Sequence, residues 1–297
     1  MSRVYRYEEL ALAPLTTPEN FHQEVVGLRQ SLGNLVVQGA ISGAFLYGSA
    51  LADANPRSDI DLLAATPTIT QATRDGLRAI STDIYHRSGI PVDVSCFSET
   101  RLTAGRHGYY RANLLMWLKV LSAKSPENIV GRNPIDFIKP LDGDLIDAID
   151  TDLTEQRHAF EMAYMKGHAQ QPEALLETIL NFPHKAGREC MSTLLMHGYI
   201  SPEVIGDARK DSVARAVAKT LGAKNPRLQI LYGHLVSEFS RYTKFADEVS
   251  RLGITREEYD QSITATIQED LPVAIELVGH MQTAYRQQVG DRSWPSL

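Results

Sequence analysis

Three aspartates in two short apolar runs are the residues that most clearly could do chemistry. Asp59 and Asp61 flank Ile60 in one run, and Asp93 lies in the run 90–94, 32 residues after Asp61. Residues two apart in a strand point to the same face, so Asp59 and Asp61 are predicted to share a face. The spacing to Asp93 allows a helical crossover to a neighbouring parallel strand. Carboxylates placed in this way would suit Mg²⁺, which prefers oxygen ligands and commonly binds through one or two carboxylates and substrate phosphates.

A glycine-serine pair, Gly48-Ser49, follows the apolar run 44–47 and precedes the acids. Glycine has no Cβ and allows the backbone to approach a phosphate closely, and the serine hydroxyl can form a hydrogen bond. Such a pair alone is typical of a turn. Because this pair precedes two closely spaced acids, we predict that Gly48 and Ser49 hold phosphate.

These pieces in this order resemble the nucleotidyltransferase superfamily, which includes DNA polymerase β, the aminoglycoside nucleotidyltransferases and the small bacterial nucleotidyltransferases. The resemblance covers roughly residues 45–97, and the matching residues are Gly48-Ser49, Asp59-Ile60-Asp61 and Val92-Asp93-Val94. It implies that Gly48 and Ser49 hold the triphosphate and that Asp59 and Asp61 bind magnesium. It also implies that Asp93 completes the metal site and helps to deprotonate the acceptor. At the position of Asp93, some antibiotic-modifying members of the superfamily carry Glu instead of Asp.

The resemblance implies a magnesium-dependent transfer of a nucleoside monophosphate to a hydroxyl of an acceptor, with release of pyrophosphate. The donor is expected to be a nucleoside triphosphate, with ATP as the first choice. The acceptor is expected to be a small molecule such as an aminoglycoside, because the aminoglycoside enzymes share the layout of a sheet domain followed by a helical bundle. Two alternatives stay open: a toxin-like transferase acting on tRNA or protein, and a non-catalytic nucleotide-binding module.

Asp-x-Asp pairs also occur in other enzymes. Glycosyltransferases use one at a strand end to hold a metal-bound sugar nucleotide. Phosphatases of the haloacid dehalogenase type use one that is followed two residues later by Thr or Val. Leu63 occupies that position here, which argues against the phosphatase. The combination with Gly48-Ser49 and Asp93 therefore favours the nucleotidyltransferase.

Composition narrows the class of protein further. The 297 residues predict about two domains, and the net charge of −6 without a long basic tract disfavours a polymerase or a general RNA-binding protein. Nucleic acid is then expected only as a specific substrate. No apolar stretch is long enough for a membrane span, and the first residues lack the apolar core of a secretion signal, so a cytoplasmic protein is expected. Cys96 and Cys190 show no spacing that predicts a disulfide framework or a zinc site.

The elements that must position the acids can be read from periodicity. A helix is predicted over 18–37, strands around 43–48, 59–65 and 91–97, a helix over 70–88 between the last two, and helical character over 112–121. After a proline-marked link at 133–140, helical periodicity continues in segments 142–168, 172–197, 202–221, 227–251 and 255–289. The sequence thus predicts an α+β fold: a nucleotidyltransferase-like mixed sheet with helices in a catalytic domain, 1–140, followed by an all-helical bundle domain, 141–297.

Two charged clusters lie in the predicted helical domain. Lys185 and Arg188 are three residues apart on one predicted helix, and bundle helices of related enzymes supply cations to the triphosphate, so both are candidates for nucleotide binding. Ordinary surface charge is the alternative. An acidic stretch lies at the start of the domain. It is interpreted either as a solvated helix face or as a binding surface for an amine-rich acceptor. Its members are Asp142, Asp144, Asp147, Asp150, Asp152 and Glu155.

Overall fold

The structure is a computed structural model that describes residues 4–12, 17–47, 59–104, 127–139, 146–167, 172–205 and 210–290. These ranges form an α+β structure with a four-stranded mixed sheet and ten α-helices. The general α+β class predicted from the sequence is therefore confirmed. The described residues divide into two compact units, one containing 17–139 and the other containing 4–12 together with 146–290.

The first half of the chain contains both helices and strands, and only helices follow in the described part of the second half. In chain order the elements are α1 (Tyr7–Leu12), α2 (Pro18–Val37), β1 (Gly43–Tyr47), β2 (Ile60–Thr66), α3 (Gln71–Ser88), β3 (Val92–Ser98), α4 (Glu99–Thr103), β4 (Glu127–Gly131), a 3-10 helix (Pro134–Phe137), α5 (Ile146–Lys166), α6 (Pro172–Met196), α7 (Pro202–Ile205), α8 (Lys210–Thr220), α9 (Pro226–Leu252) and α10 (Arg256–Val289). The helical character predicted for 112–121 lies outside the described residues.

The sheet has the strand order β3-β2-β1-β4, with β2 and β3 parallel and the other pairs antiparallel. Helix α3 makes the crossover between the parallel strands. The Thr70 side chain caps its N-terminus by accepting from the Thr73 amide, and Gly89 ends it at a φ of 72°. The predicted strands and this helix lie within about two residues of the observed ones. Strand β4 was not predicted, because Ile129 is its one fully buried side chain and its pattern is weak.

The two faces of the sheet pack against different partners. One face presents Ile60 and Leu62 to the apolar sides of α2 and α3, where Leu28 and Leu77 are buried. The opposite face carries a second apolar cluster that includes α4 and the 3-10 helix; its members are Phe45, Tyr47, Leu63, Ala65, Phe97, Leu102 and Ile138. Side chains alternate along a strand, so Asp61 and Asp93 belong to the second face.

The second unit is helical and includes the segment 4–12, which precedes the sheet unit in the chain. The Tyr5 amide donates to the Tyr242 hydroxyl on α9 at 2.8 Å, and the Tyr259 hydroxyl on α10 donates to the Tyr5 carbonyl. The domain boundary predicted at 140 groups these first residues with the sheet instead. The helix predicted over 202–221 is observed as α7 and α8, and 206–209 lie outside the described residues.

An ion pair between a buried aspartate and a partly exposed arginine joins α5 to α10 within this unit. Asp150 is 3% exposed and accepts hydrogen bonds from Nε and Nη2 of Arg286, both at 2.6 Å. Gln282, one turn earlier on α10, donates to the Thr154 hydroxyl at 2.6 Å. Asp150 of the acidic stretch is thus part of a helix interface, whereas Asp142 and Asp144 lie outside the described residues. None of the helices described is both long and apolar enough to cross a membrane.

Candidate functional site

Asp61 and Asp93 lie side by side at the start of the two parallel strands. They are Cα partners in the β2-β3 register, and Tyr47 at the end of β1 is the Cα partner of Asp61. Partners in adjacent strands are about 5 Å apart and project from the same face of the sheet. Tyr47, Asp61 and Asp93 therefore form a row across three strands, and Asp59 immediately precedes β2.

The local sequence explains why a charged residue sits at this buried position. Ile60 and Leu62 are each 1% exposed and anchor β2 in the core under α2 and α3. Because the strand alternates, this anchoring forces the intervening Asp61 onto the opposite face, where it is only 4% exposed. Asp59 and Asp93 are half-buried. The apolar residues between the acids thus fix the direction in which the acids point.

The electrostatics of the row favour binding of a positive charge. The pKa of Asp61 is raised from 3.8 to about 6: burial is the largest cause, Asp59 and Asp93 also raise the pKa, and the positively charged N-terminus lowers it. A desolvated carboxylate beside like charges gains from a proton or from a cation. The three neighbouring acids are therefore suited to bind a positive charge.

The positions of the acids agree better with one kind of metal site than with another. Among the residues that the structure describes, no group of three or more His, Cys, Asp or Glu side chains is arranged to hold a metal ion. Mg²⁺, however, usually binds through one or two carboxylates and takes its remaining ligands from water and phosphates. The oxygen donors of Asp61 and Asp93 on neighbouring strands fit that open type of site, with Asp59 as the third candidate. They do not fit a closed site made by protein ligands alone.

Gly48 and Ser49 lie outside the described residues, and their role in holding phosphate stays a prediction. The structure describes the chain up to Tyr47, the residue before Gly48 and the partner of Asp61. The predicted phosphate-holding pair is thus next in the chain to the row of acids.

Lys185 and Arg188 lie on α6 of the helical unit, near a buried acid of the same helix. Lys185 is exposed and Arg188 is half-buried, and both lie close to Glu189, which is 8% exposed. Burial raises the pKa of Glu189 to about 7, and Asp152 raises it, whereas Arg188 and Lys185 lower it. The role of the two cations in binding a triphosphate stays a prediction.

Three residues near these groups were not singled out from the sequence. Glu189 is buried on α6, but the residues next to it, Arg188 and Cys190, form no pattern that marks a buried acid. Ser95 follows Asp93 by two residues and shares its face, and its Oγ lies 3.3 Å from the Tyr47 hydroxyl. That contact depends on strand register, which local periodicity does not give.

Comparison of the chain with models of known protein families and with curated proteins found no match.

Proposed function

We propose that this chain is a magnesium-dependent nucleotidyltransferase with a nucleotidyltransferase-like sheet. It would transfer a nucleoside monophosphate from a nucleoside triphosphate, with ATP as the first choice, to a hydroxyl of a small acceptor such as an aminoglycoside. The observation that supports this best is the register of β2 and β3, which makes Asp61 and Asp93 partners. The resemblance of residues 45–97 to that superfamily supplies the reaction, and the shared face of the acids is what the reaction needs.

The acids have distinct roles in the proposed reaction. Asp59 and Asp61 hold Mg²⁺, and Asp93 completes the site. When bound, Mg²⁺ would neutralise negative charge on the phosphates and on the departing pyrophosphate. Like-charged carboxylates at this spacing gain from the same cation, because it removes their mutual repulsion.

The remaining steps are carried by the chain's own residues. Gly48 and Ser49 hold the triphosphate through the backbone and the hydroxyl. The acceptor oxygen attacks the α-phosphorus in line, the bond from that phosphorus to the bridging oxygen breaks, and pyrophosphate leaves. Asp93 accepts the proton of the attacking hydroxyl. Holding both reactants in this geometry supplies a large part of the rate by proximity.

A transfer assay tests the proposal. The full chain is incubated with Mg²⁺ and with ATP, CTP, GTP or UTP labelled at the α-phosphate, against a panel of aminoglycosides, tRNA and proteins. We expect label on a small hydroxylated molecule and none with Asp61→Asn or Asp93→Asn. Asp75→Asn, which changes an exposed acid of α3 in the same unit, is the matched control and should transfer normally.

The outcomes separate the alternatives. Label on tRNA or on a protein would keep the transfer reaction and replace the acceptor class. Nucleotide binding without release of pyrophosphate in any arm would contradict the enzyme and favour a nucleotide-binding module. Full transfer by both acid variants would contradict the assignment of the site.

A further inference from the structure

The Tyr47 hydroxyl on β1 lies 3.3 Å from the Ser95 hydroxyl on β3. These two strands are not neighbours, because β2 lies between them. Adjacent strands are about 4.8 Å apart, so β1 and β3 are separated by roughly 10 Å. The tyrosine side chain must therefore extend across β2 to make this contact. Both residues are 5% exposed, so the contact is buried.

The ring of Tyr47 consequently covers the part of β2 where Asp61 and Leu63 project. Leu63 is the Cα partner of Ser95 and belongs to the apolar cluster on this face, whereas Asp61 is the partner of Tyr47 itself. The ring also packs at an angle on Phe45, with a distance of 6.0 Å between the ring centroids. It thus forms the boundary between the apolar cluster and the row of acids.

We propose that Tyr47, fixed by its hydroxyl contact with Ser95, is a positioning residue that confines the Asp61 side chain to the orientation in which it faces Asp93. Because the ring of Tyr47 fills the space on the apolar side of the site, the Asp61 carboxylate can rotate only toward the other members of the row. This inference rests on the proposed function for its consequence, which is that Asp61 is preorganised to share a cation with Asp93. Catalytic carboxylates gain rate and affinity when packing and hydrogen bonds of supporting residues fix their rotamers.

The test uses the full chain and four variants: Tyr47→Phe, Ser95→Ala, the double variant and Tyr47→Leu. The first two each remove one hydroxyl of the contact, and the last removes the ring. Tyr85→Phe, on the exposed side of α3, is the matched control. Binding of Mn²⁺, a spectroscopically visible substitute for Mg²⁺, is followed by electron paramagnetic resonance, together with the KM values for Mg²⁺ and nucleotide.

We expect Tyr47→Phe, Ser95→Ala and the double variant to weaken Mn²⁺ binding by the same factor of about five, because they remove one and the same hydrogen bond. Tyr47→Leu should weaken it further, by about twentyfold or more, and Tyr85→Phe should not change it. The KM for Mg²⁺ should follow these factors while the KM for nucleotide stays unchanged. A residue that only supported the fold would not separate the two KM values in this way.

Independent, multiplying effects of Tyr47→Phe and Ser95→Ala would overturn the hydroxyl coupling. Native Mn²⁺ affinity in Tyr47→Leu would overturn the positioning role, and if that variant fails to fold, Tyr47→Phe with native affinity does so instead. Crystal structures of the native chain and Tyr47→Phe give a readout independent of activity: an unchanged Asp61 side chain contradicts the inference. A native chain that binds neither Mn²⁺ nor nucleotide contradicts the proposed function, while the Asp61 orientation in those crystals still decides the role of Tyr47.

Discussion

Each unit of the molecule buries an aspartate to nearly the same degree, and the two aspartates have different side chains beside them. Asp150 of the helical unit is 3% exposed and is held by both nitrogens of the Arg286 fork. Asp61 of the sheet unit is 4% exposed; burial is the largest cause that raises its pKa, and the neighbouring Asp59 and Asp93 raise it as well. Burial of a carboxylate therefore does not identify its role. An arginine that binds both carboxylate oxygens indicates an aspartate that joins two helices, and further acids on adjacent strands indicate one that is suited to bind a cation.

The largest expected effect is the loss of transfer activity when Asp61 of the sheet unit loses its charge. Asp61→Asn keeps the volume of the side chain and removes its charge, so transfer should fall by a factor on the order of 10² to 10³, as expected when one preorganised contact to the transition state is lost. The free energy of unfolding at pH 8 should stay the same or rise, because burial disfavours the charged form. Label transfer and thermal unfolding measure the two quantities. Loss of the fold together with activity would mean that Asp61 is structural, like Asp150.

Breaking the pair of Asp150 and Arg286 in the helical unit should instead lower the stability of the fold. Arg286→Ala leaves the Asp150 carboxylate buried without this partner, so we expect a loss of about 2 to 4 kcal/mol in the free energy of unfolding. The double variant Asp150→Asn, Arg286→Ala should recover part of it. Arg157→Ala, which breaks an exposed pair with Glu161, is the control and should cost under about 1 kcal/mol. Urea unfolding checks all three, and equal losses in Arg286→Ala and the control would contradict the contrast.

Glu189 is an intermediate case, because it is buried near both cations and an acid. Its pKa in the folded chain, about 7, is above the ordinary value of 4.5, so the stabilisation by its proton is complete below 4.5 and is lost as the pH rises through 7. Glu189→Gln should therefore be increasingly more stable than the native chain as the pH rises from 5 to 8, by up to about 3 kcal/mol. Denaturant titrations across this range measure the difference. A parallel pH dependence of the native chain and the variant would show that Glu189 does not titrate there, and Glu155→Gln, at an exposed position of α5, controls for net charge.

The smallest expected effect concerns the two cations beside Glu189. If they bind the triphosphate, replacing Lys185 and Arg188 with Ala should raise the KM for nucleotide by about five- to tenfold, with the fold retained. Lys244→Ala, an exposed cation of α9, should leave the KM unchanged. If the two cations act on Glu189 alone, the KM will not change and the pH dependence of stability will move to higher pH instead. Steady-state kinetics and denaturant titration together distinguish these results.

The sequence was sufficient where the determining signals are local. Alternation in β2 placed Asp61 on the face opposite Ile60 and Leu62, and Thr70 and Gly89 mark the ends of the crossover helix. The sequence did not predict β4, whose exposed residues give little alternation. It also could not assign Asp150, because its partner Arg286 is 136 residues away. The contact between Tyr47 and Ser95 needs the register of three strands, which no local pattern specifies.

The segment 4–12 has a consequence for the order in which the chain can fold during synthesis. It is synthesised before the sheet unit, but Tyr242 and Tyr259, the partners of Tyr5, follow 237 and 254 residues later. The sheet unit has been synthesised long before either partner, so it can fold before the segment 4–12 is able to pack on the helices that carry them. A deletion that removes the segment 4–12 should therefore disturb the packing of the helices that carry Tyr242 and Tyr259, although these helices lie far away in the sequence.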